Sequence, residues 1–131
     1  MLFRSVALRI ASPFNWHDEL FWINYQLALL FRDEGRFDDA NTHIEHAKSH
    51  TVNSVLNLGR AMEMQAKVWC MECRFEEART GALRAADVYE KLGAAKHVER
   101  CRILLRDIQA VQAELDTTVA SGQSDFDCKL L

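Results

Sequence analysis

His46 and His50 follow His43 by three and seven residues, a spacing that sets three imidazoles along one face of a helix, and neutral imidazole is a common ligand of zinc. Cys70 and Cys73 make a Cys-x-x-Cys pair, the spacing of half a zinc site or of a thiol–disulfide centre. Each set also has a plainer reading. The histidines fall on the polar side of their segment, opposite Ile44 and Ala47, where surface imidazoles need no ligand. A zinc site usually takes a second cysteine pair or histidines nearby, and a redox pair sits in a βαβ setting; neither accompanies Cys70 and Cys73. Cys73 occupies a turn position where glycine is usual, so packing accounts for it. No metal or cofactor is expected. The chain has no Gly-x-x-x-x-Gly-Lys-Ser/Thr phosphate loop, and no Ser/His/Asp or Cys/His set stands out. Enzyme activity is not expected.

The segments that carry these residues belong to a composition that favours helices. Of 131 residues, 49% are hydrophobic, with five glycines and a single proline, Pro13; long helices joined by short turns suit such a chain and a β-rich design does not. The class is all-α. A net charge of −3 leaves no basic surface to neutralise phosphates, which argues against nucleic acid as a partner. No apolar run reaches the roughly 20 residues of a membrane span, since Asp33 and Glu34 interrupt the best one. Cys70, Cys73, Cys101 and Cys128 lack the density of a disulfide scaffold and read as reduced thiols, which suits a cytoplasmic protein.

In chain order, Met1 to Pro13 has two readings. Leu2, Val6 and Ile10 recur at helical spacing, as in the remnant of a preceding hairpin; Arg4, Arg9, Ser5 and Ser12 without an acid match a mitochondrial presequence. Pro13 ends that element in either case. Asn15 or Ser12 caps the next helix, with Asp18 and Glu19 in its first turn. This helix runs to about Glu34 and is apolar nearly all round between Phe21 and Phe31, so it needs cover on more than one face. Gly35 closes it in the left-handed conformation. Phe37 starts a return helix whose narrow stripe is Phe37, Ala40, Ile44 and Ala47. The return helix runs long or breaks near Thr51 to Asn53. A second apolar helix covers Leu56 to Met71. Its partner begins at Phe75, uses Ala78, Ala82, Ala85, Val88 or Tyr89, and Leu92, and stops at Gly93. A capping helix over 95–115 carries Val98, Cys101, Ile103, Leu104, Leu105, Ile108 and Val111, and residues 116–131 read as a disordered tail.

The organising feature is an internal repeat. Arg36-Phe37-Asp38-Asp39-Ala40 returns as Arg74-Phe75-Glu76-Glu77-Ala78, each copy placed between an apolar helix and a more polar one. Helix hairpins recurring at a fixed period mark an α-solenoid. Leu27-Ala28, Phe31, Gly35, Phe37, Ala40, Ile44 and Ala47 resemble the tetratricopeptide pattern of small and aromatic residues. The second copy matches through Ala66, Trp69, Phe75, Ala78 and Ala85, and departs from it at Gln65, Cys73 and Ala82. Ala40 and Ala78 stand 38 residues apart, about four more than the roughly 34 of a tetratricopeptide unit, and Val52 and Glu90 take the place of its closing proline. Longer, proline-poor repeats are similar to those in the sensor arrays of signalling ATPases, and several phrases of the sequence resemble fungal tetratricopeptide-like proteins. The resemblance spans residues 14–115, with repeats near 18–54 and 55–93, and implies a tetratricopeptide-like α-α superhelix of two hairpins plus a C-terminal capping helix.

The resemblance further implies that first helices line a concave face. That face carries Trp22, Tyr25, Leu29 and Arg32, then Arg60, Glu63 and Lys67, with Arg102 and Arg106 on the last helix. An aromatic and apolar patch beside mixed charge suits a protein or peptide partner. Chaperone tails are disfavoured, because Tyr25, Leu29 and Met64 occupy the positions of the family's carboxylate clamp and only Arg102 fits. The expectation is a scaffold that binds a peptide or helix in its groove, with self-association through the exposed first helix as a variant. The alternative is the C-terminal sensor or regulatory end of a larger nucleotide-binding signalling protein. A third reading is a metal-responsive bundle using the three histidines.

Overall fold

In the computed structural model, described over residues 13–120 and for side chains over residues 16–119, every element is helical: α1 (Pro13–Asp33), α2 (Phe37–Lys48), α3 (Val55–Met71), α4 (Phe75–Lys91) and α5 (Ala95–Ala120). The chain is all-α. The expectations for residues 1–12 and 121–131 lie outside the described residues. Pro13 occupies the first turn of α1, where a missing N–H leaves no bond unmade. Asp18 and Glu19 consequently fall one turn too late for the expected place at the helix start. The chain divides into two compact units, residues 1–61 and 62–131.

In the first unit α1 packs against α2. Ala40, Ile44 and Ala47 of the predicted stripe are buried, and Phe21 of α1 is wholly enclosed with Ala47 and Ala61, the aromatic ring filling the space that small residues leave. The break after α2 falls at residues 49–54, and Ser54 supplies the cap for α3: its Oγ accepts from the Asn57 N–H at 3.1 Å, satisfying one of the donors a helix start leaves open. In the second unit α4 packs against α5. Ala66, Cys70, Phe75, Ala78, Ala82, Leu104 and Ile108 form its core. Tyr89 is the largest fully buried side chain, whereas Leu92, expected in the same stripe, is 46% exposed because α4 ends beneath it at Lys91. Gly81 lets α3 approach closely: a Cβ there would lie 3.2 Å from the Trp69 ring and 3.3 Å from the Ala66 Cβ.

The repeated pentapeptide has a common physical task. After α1, the Gly35 N–H donates to Arg32 O (3.0 Å) and the Arg36 N–H to Phe31 O (2.8 Å). After α3, Cys73 donates to Cys70 O (3.0 Å) and Arg74 to Trp69 O (2.8 Å). These are Schellman closures. In each, the arginine that follows lies over the aromatic ring one turn back, Arg36 at 4.5 Å from Phe31 and Arg74 at 5.6 Å from Trp69. Its Nε then donates forward to the acid in the next helix's first turn, Asp39 at 2.9 Å and Glu77 at 3.0 Å. Arginine, aromatic and acid thus tie two helices at each turn. Gly93 closes α4 in the same way, its N–H donating to Glu90 O (3.0 Å) and that of Ala94 to Tyr89 O (2.9 Å).

The final helix is longer than the apolar period predicts. It continues to Ala120, so 116–120, expected in a disordered tail, are helical. Propagating an existing helix adds a bond per residue without a new nucleus, and Thr117 and Thr118 turn their hydroxyls onto carbonyls four residues back, both at 2.9 Å.

Candidate functional site

The first unit gathers three of the expected contact residues. Trp22 and Tyr25 share one side of α1, with ring centroids 5.5 Å apart and nearly perpendicular, and Phe21 lies edge-on to Trp22 at 5.0 Å. From α3, the Arg60 guanidinium lies 5.3 Å from the centroid of Trp22 while its Nη1 donates to Asn57 Oδ1 at 2.8 Å. The cation is oriented before any ligand arrives. Trp22 remains 39% exposed. Leu29, half-buried, follows Tyr25 by one turn, and Arg32 spends its guanidinium on the neighbouring Asp33 at 3.2 Å.

The second unit places Glu63 where a surface contact is not possible. Glu63 is 4% exposed. Its carboxylate accepts from Tyr89 Oη (2.9 Å), Arg100 Nη2 (2.8 Å) and Arg100 Nε (3.2 Å), with Lys67 Nζ at 3.5 Å. Burial alone pushes the Glu63 carboxyl up, but the hydrogen bonds from Arg100 and Tyr89 and the charges of Lys67 and Arg100 outweigh it and hold the group below its ordinary value. Burial, then the charge of Glu63, pushes the Tyr89 phenol up, so it stays a donor. Sequence reading did not name Arg100 and offered Tyr89 only as a core alternative to Val88; the two stand 37 and 26 residues from Glu63. A buried acid opposite a tyrosine has no local signature.

Beside this cluster runs a groove between α3 and α5. Its apolar stretch, 390 Å³, is lined by Cys70, Met71, Leu104, Ala110 and Val111, with Lys67 and Asp107 on the rim. A further 210 Å³ opens toward Glu63, Arg100 and Ile103. Lys67 is exposed on the rim of this groove. Arg102 instead pairs with Glu99 at 3.4 Å, and Arg106 faces the same carboxylate at 3.9 Å.

The histidine set is divided by its partners. His43 Nδ1 lies 3.0 Å from Asn24 Oδ1 with its ring stacked on Phe31, and His50 Nδ1 lies 3.0 Å from His17 Nδ1. Among the described residues no group of three or more His, Cys, Asp or Glu converges to hold a metal. Cys70 and Cys101 are free and buried. Burial and then Asp107 push the Cys70 thiol up, while burial and then Glu63 push Cys101 up to about 11, so both remain unreactive thiols. Cys73 is disulfide-bonded, which corrects the expectation that every cysteine is reduced. It also holds a positive φ of 63°, the slot that glycine fills after α1 and α4. No family model, curated protein or solved structure matches the chain.

Proposed function

We propose that the chain is a protein-interaction module of tetratricopeptide-like hairpins, which takes a peptide or helix of a partner against the faces of its first helices. The observation that carries this reading is the α3–α5 groove, an apolar trough with Lys67 and Asp107 on its rim. Such a trough desolvates an apolar anchor while the charges choose its orientation. In the first unit, taken by itself, the Trp22, Tyr25 and Arg60 group is a separate anchor, since a preoriented aromatic ring loses little entropy on binding. Peptides selected from a random display library on the full chain test this. A peptide that binds at the groove should bind at least about tenfold more weakly to Met71→Arg, and one that binds at the aromatic group at least about tenfold more weakly to Trp22→Ala, than to the wild type, both variants keeping their helical circular dichroism. Undiminished binding to both folded variants would overturn the reading.

A second reading is favoured by one observation. Ile23 and Leu30 of α1 are 44% and 53% exposed, apolar surface that a preceding helix hairpin would cover. In that case the chain is the regulatory end of a larger nucleotide-binding signalling protein. Analytical ultracentrifugation separates the two: a monodisperse monomer supports the module, and self-association relieved by Ile23→Lys with Leu30→Lys supports the fragment.

A further inference from the structure

Two polar ties join α1 to the α2 side of its hairpin, and acid acts on them in opposite ways. In the tie near the Gly35 turn, Asn24 Oδ1 only accepts, so His43 donates through Nδ1–H, as the neutral ring with that tautomer and the protonated ring both do. Asn24 is held for this task by its own amide, which donates to Leu20 O at 2.9 Å. The tie at the other end is His17 to His50. Their Nδ1 atoms stand 3.0 Å apart with ring centroids at 5.3 Å. A bond between two imidazole nitrogens needs one proton and one lone pair. When both rings are protonated, two N–H groups and two positive charges meet at that separation.

The surroundings do not compensate. The charged groups acting on His50 are His17 of α1 and His46 of α2, both cationic when protonated; burial first and then these two hold His50 below its ordinary value of 6.5. Asp18 and Glu19, adjacent to His17 on α1, are not among those groups. On α2, Lys48 pairs with Glu45 at 3.4 Å. On α3, Arg60 is engaged with Trp22 and Asn57.

We propose that the His17–His50 contact is an acid-sensitive latch that releases the open end of the α1–α2 hairpin as pH falls below neutral, while Asn24–His43 keeps the turn end closed. Phe21 and Trp22 lie one turn beyond His17, so the released turn carries both the buried ring that packs on Ala47 and the exposed ring at Arg60. Acid therefore reshapes the Trp22 face and leaves the Gly35 turn intact.

Imidazole nitrogen correlation spectra and amide exchange of the full chain between pH 8 and pH 5 test the latch. At pH 7.5 one of the two Nδ1 atoms should be protonated and its partner bare. Between pH 7.5 and pH 5.5, protection factors of the Phe21 to Tyr25 amides should fall about fivefold, the loss of one net hydrogen bond. His50→Gln, which keeps a hydrogen-bonding group but does not titrate, should abolish that fall, and His43→Gln should leave it in place. His17→Gln serves as an independent second variant, read in the same way if His50→Gln fails to fold. The latch is overturned if the two rings titrate independently with identical Nδ1 states, or if the acid step survives undiminished in the folded glutamine variants.

Discussion

The two units solve one problem, joining helices at a distance from the turn, with different polar chemistry. The first relies on imidazoles, one of which must stay unprotonated at Nδ1 in the His17–His50 pair, and the second on a buried carboxylate that must stay charged. Their pH windows differ accordingly. His50 has a depressed folded value, so the stability it contributes is complete above 6.5 and lost as pH falls through that lower value. Glu63 is also depressed, from 4.5, so its contribution is complete above 4.5 and is lost only in stronger acid. The same direction of shift thus places the second unit's weakness well below that of the first. A polar tie's chemistry, more than its geometry, decides the conditions under which a hairpin holds.

The largest test of this contrast is the apolar part it depends on. Phe21→Ala should cost about 3–5 kcal/mol, read as loss of amide protection in residues 16–48 with residues 75–115 less affected. A comparable collapse of both sets would dissolve the distinction between the units. Next comes the carboxylate network. Arg100→Met should cost about 2 kcal/mol at pH 7, held below the value for a fully buried pair because the Arg100 side chain is 51% exposed. Glu63→Gln should remove the acid step below pH 4.5 in a chemical-denaturation series taken against pH. A step of unchanged size in that variant would assign the acid sensitivity to other carboxylates.

Tyr89→Phe removes a single donor from Glu63 and should cost about 1.5 kcal/mol at neutral pH, with less effect once Glu63 is protonated. The smallest effects compare the two turns. Gly35→Ala forces a side chain into a φ of 76° and should cost about 1 kcal/mol, whereas Cys73→Gly relieves a φ of 63° and should gain up to about 1 kcal/mol under reducing conditions. Thermal melts under reductant measure both. Equal signs for the two substitutions would mean that the turns are not equivalent despite their shared hydrogen bonds.

Helical class and most boundaries were legible from local residue patterns: Gly35 and Gly93 as closures, Phe37 and Phe75 as starts, and Ala40, Ile44 and Ala47 as one buried stripe. Each rests on interactions within a few positions along the chain, which is where sequence carries physical information most directly. The repeated Arg-Phe-acid-acid-Ala was visible as a pattern. Its purpose was not, because the arginine's stacking on an aromatic five residues earlier appears only once the chain reverses. The expected contact face was only partly legible. Helical spacing set Trp22 and Tyr25 on one side of α1, while the resemblance that named Lys67 for the contact face gave Glu63 the same standing as its exposed neighbours.

What the sequence alone determined, then, is the set of helices, their turns and the small-residue stripes through which they pack, since these follow from periodicity and backbone preference. Tertiary structure decided which charges are spent internally. Glu63 lies among surface-type residues in the sequence, and only the approach of Tyr89 and Arg100 buries and pairs it. Spacing would set His43 and His50 on one helical face, yet α2 ends at Lys48, leaving His50 in the turn, and Asn24 and His17 draw the two into separate bonds. Pairing across tens of residues depends on how helices approach one another, and no local pattern in the chain encodes it.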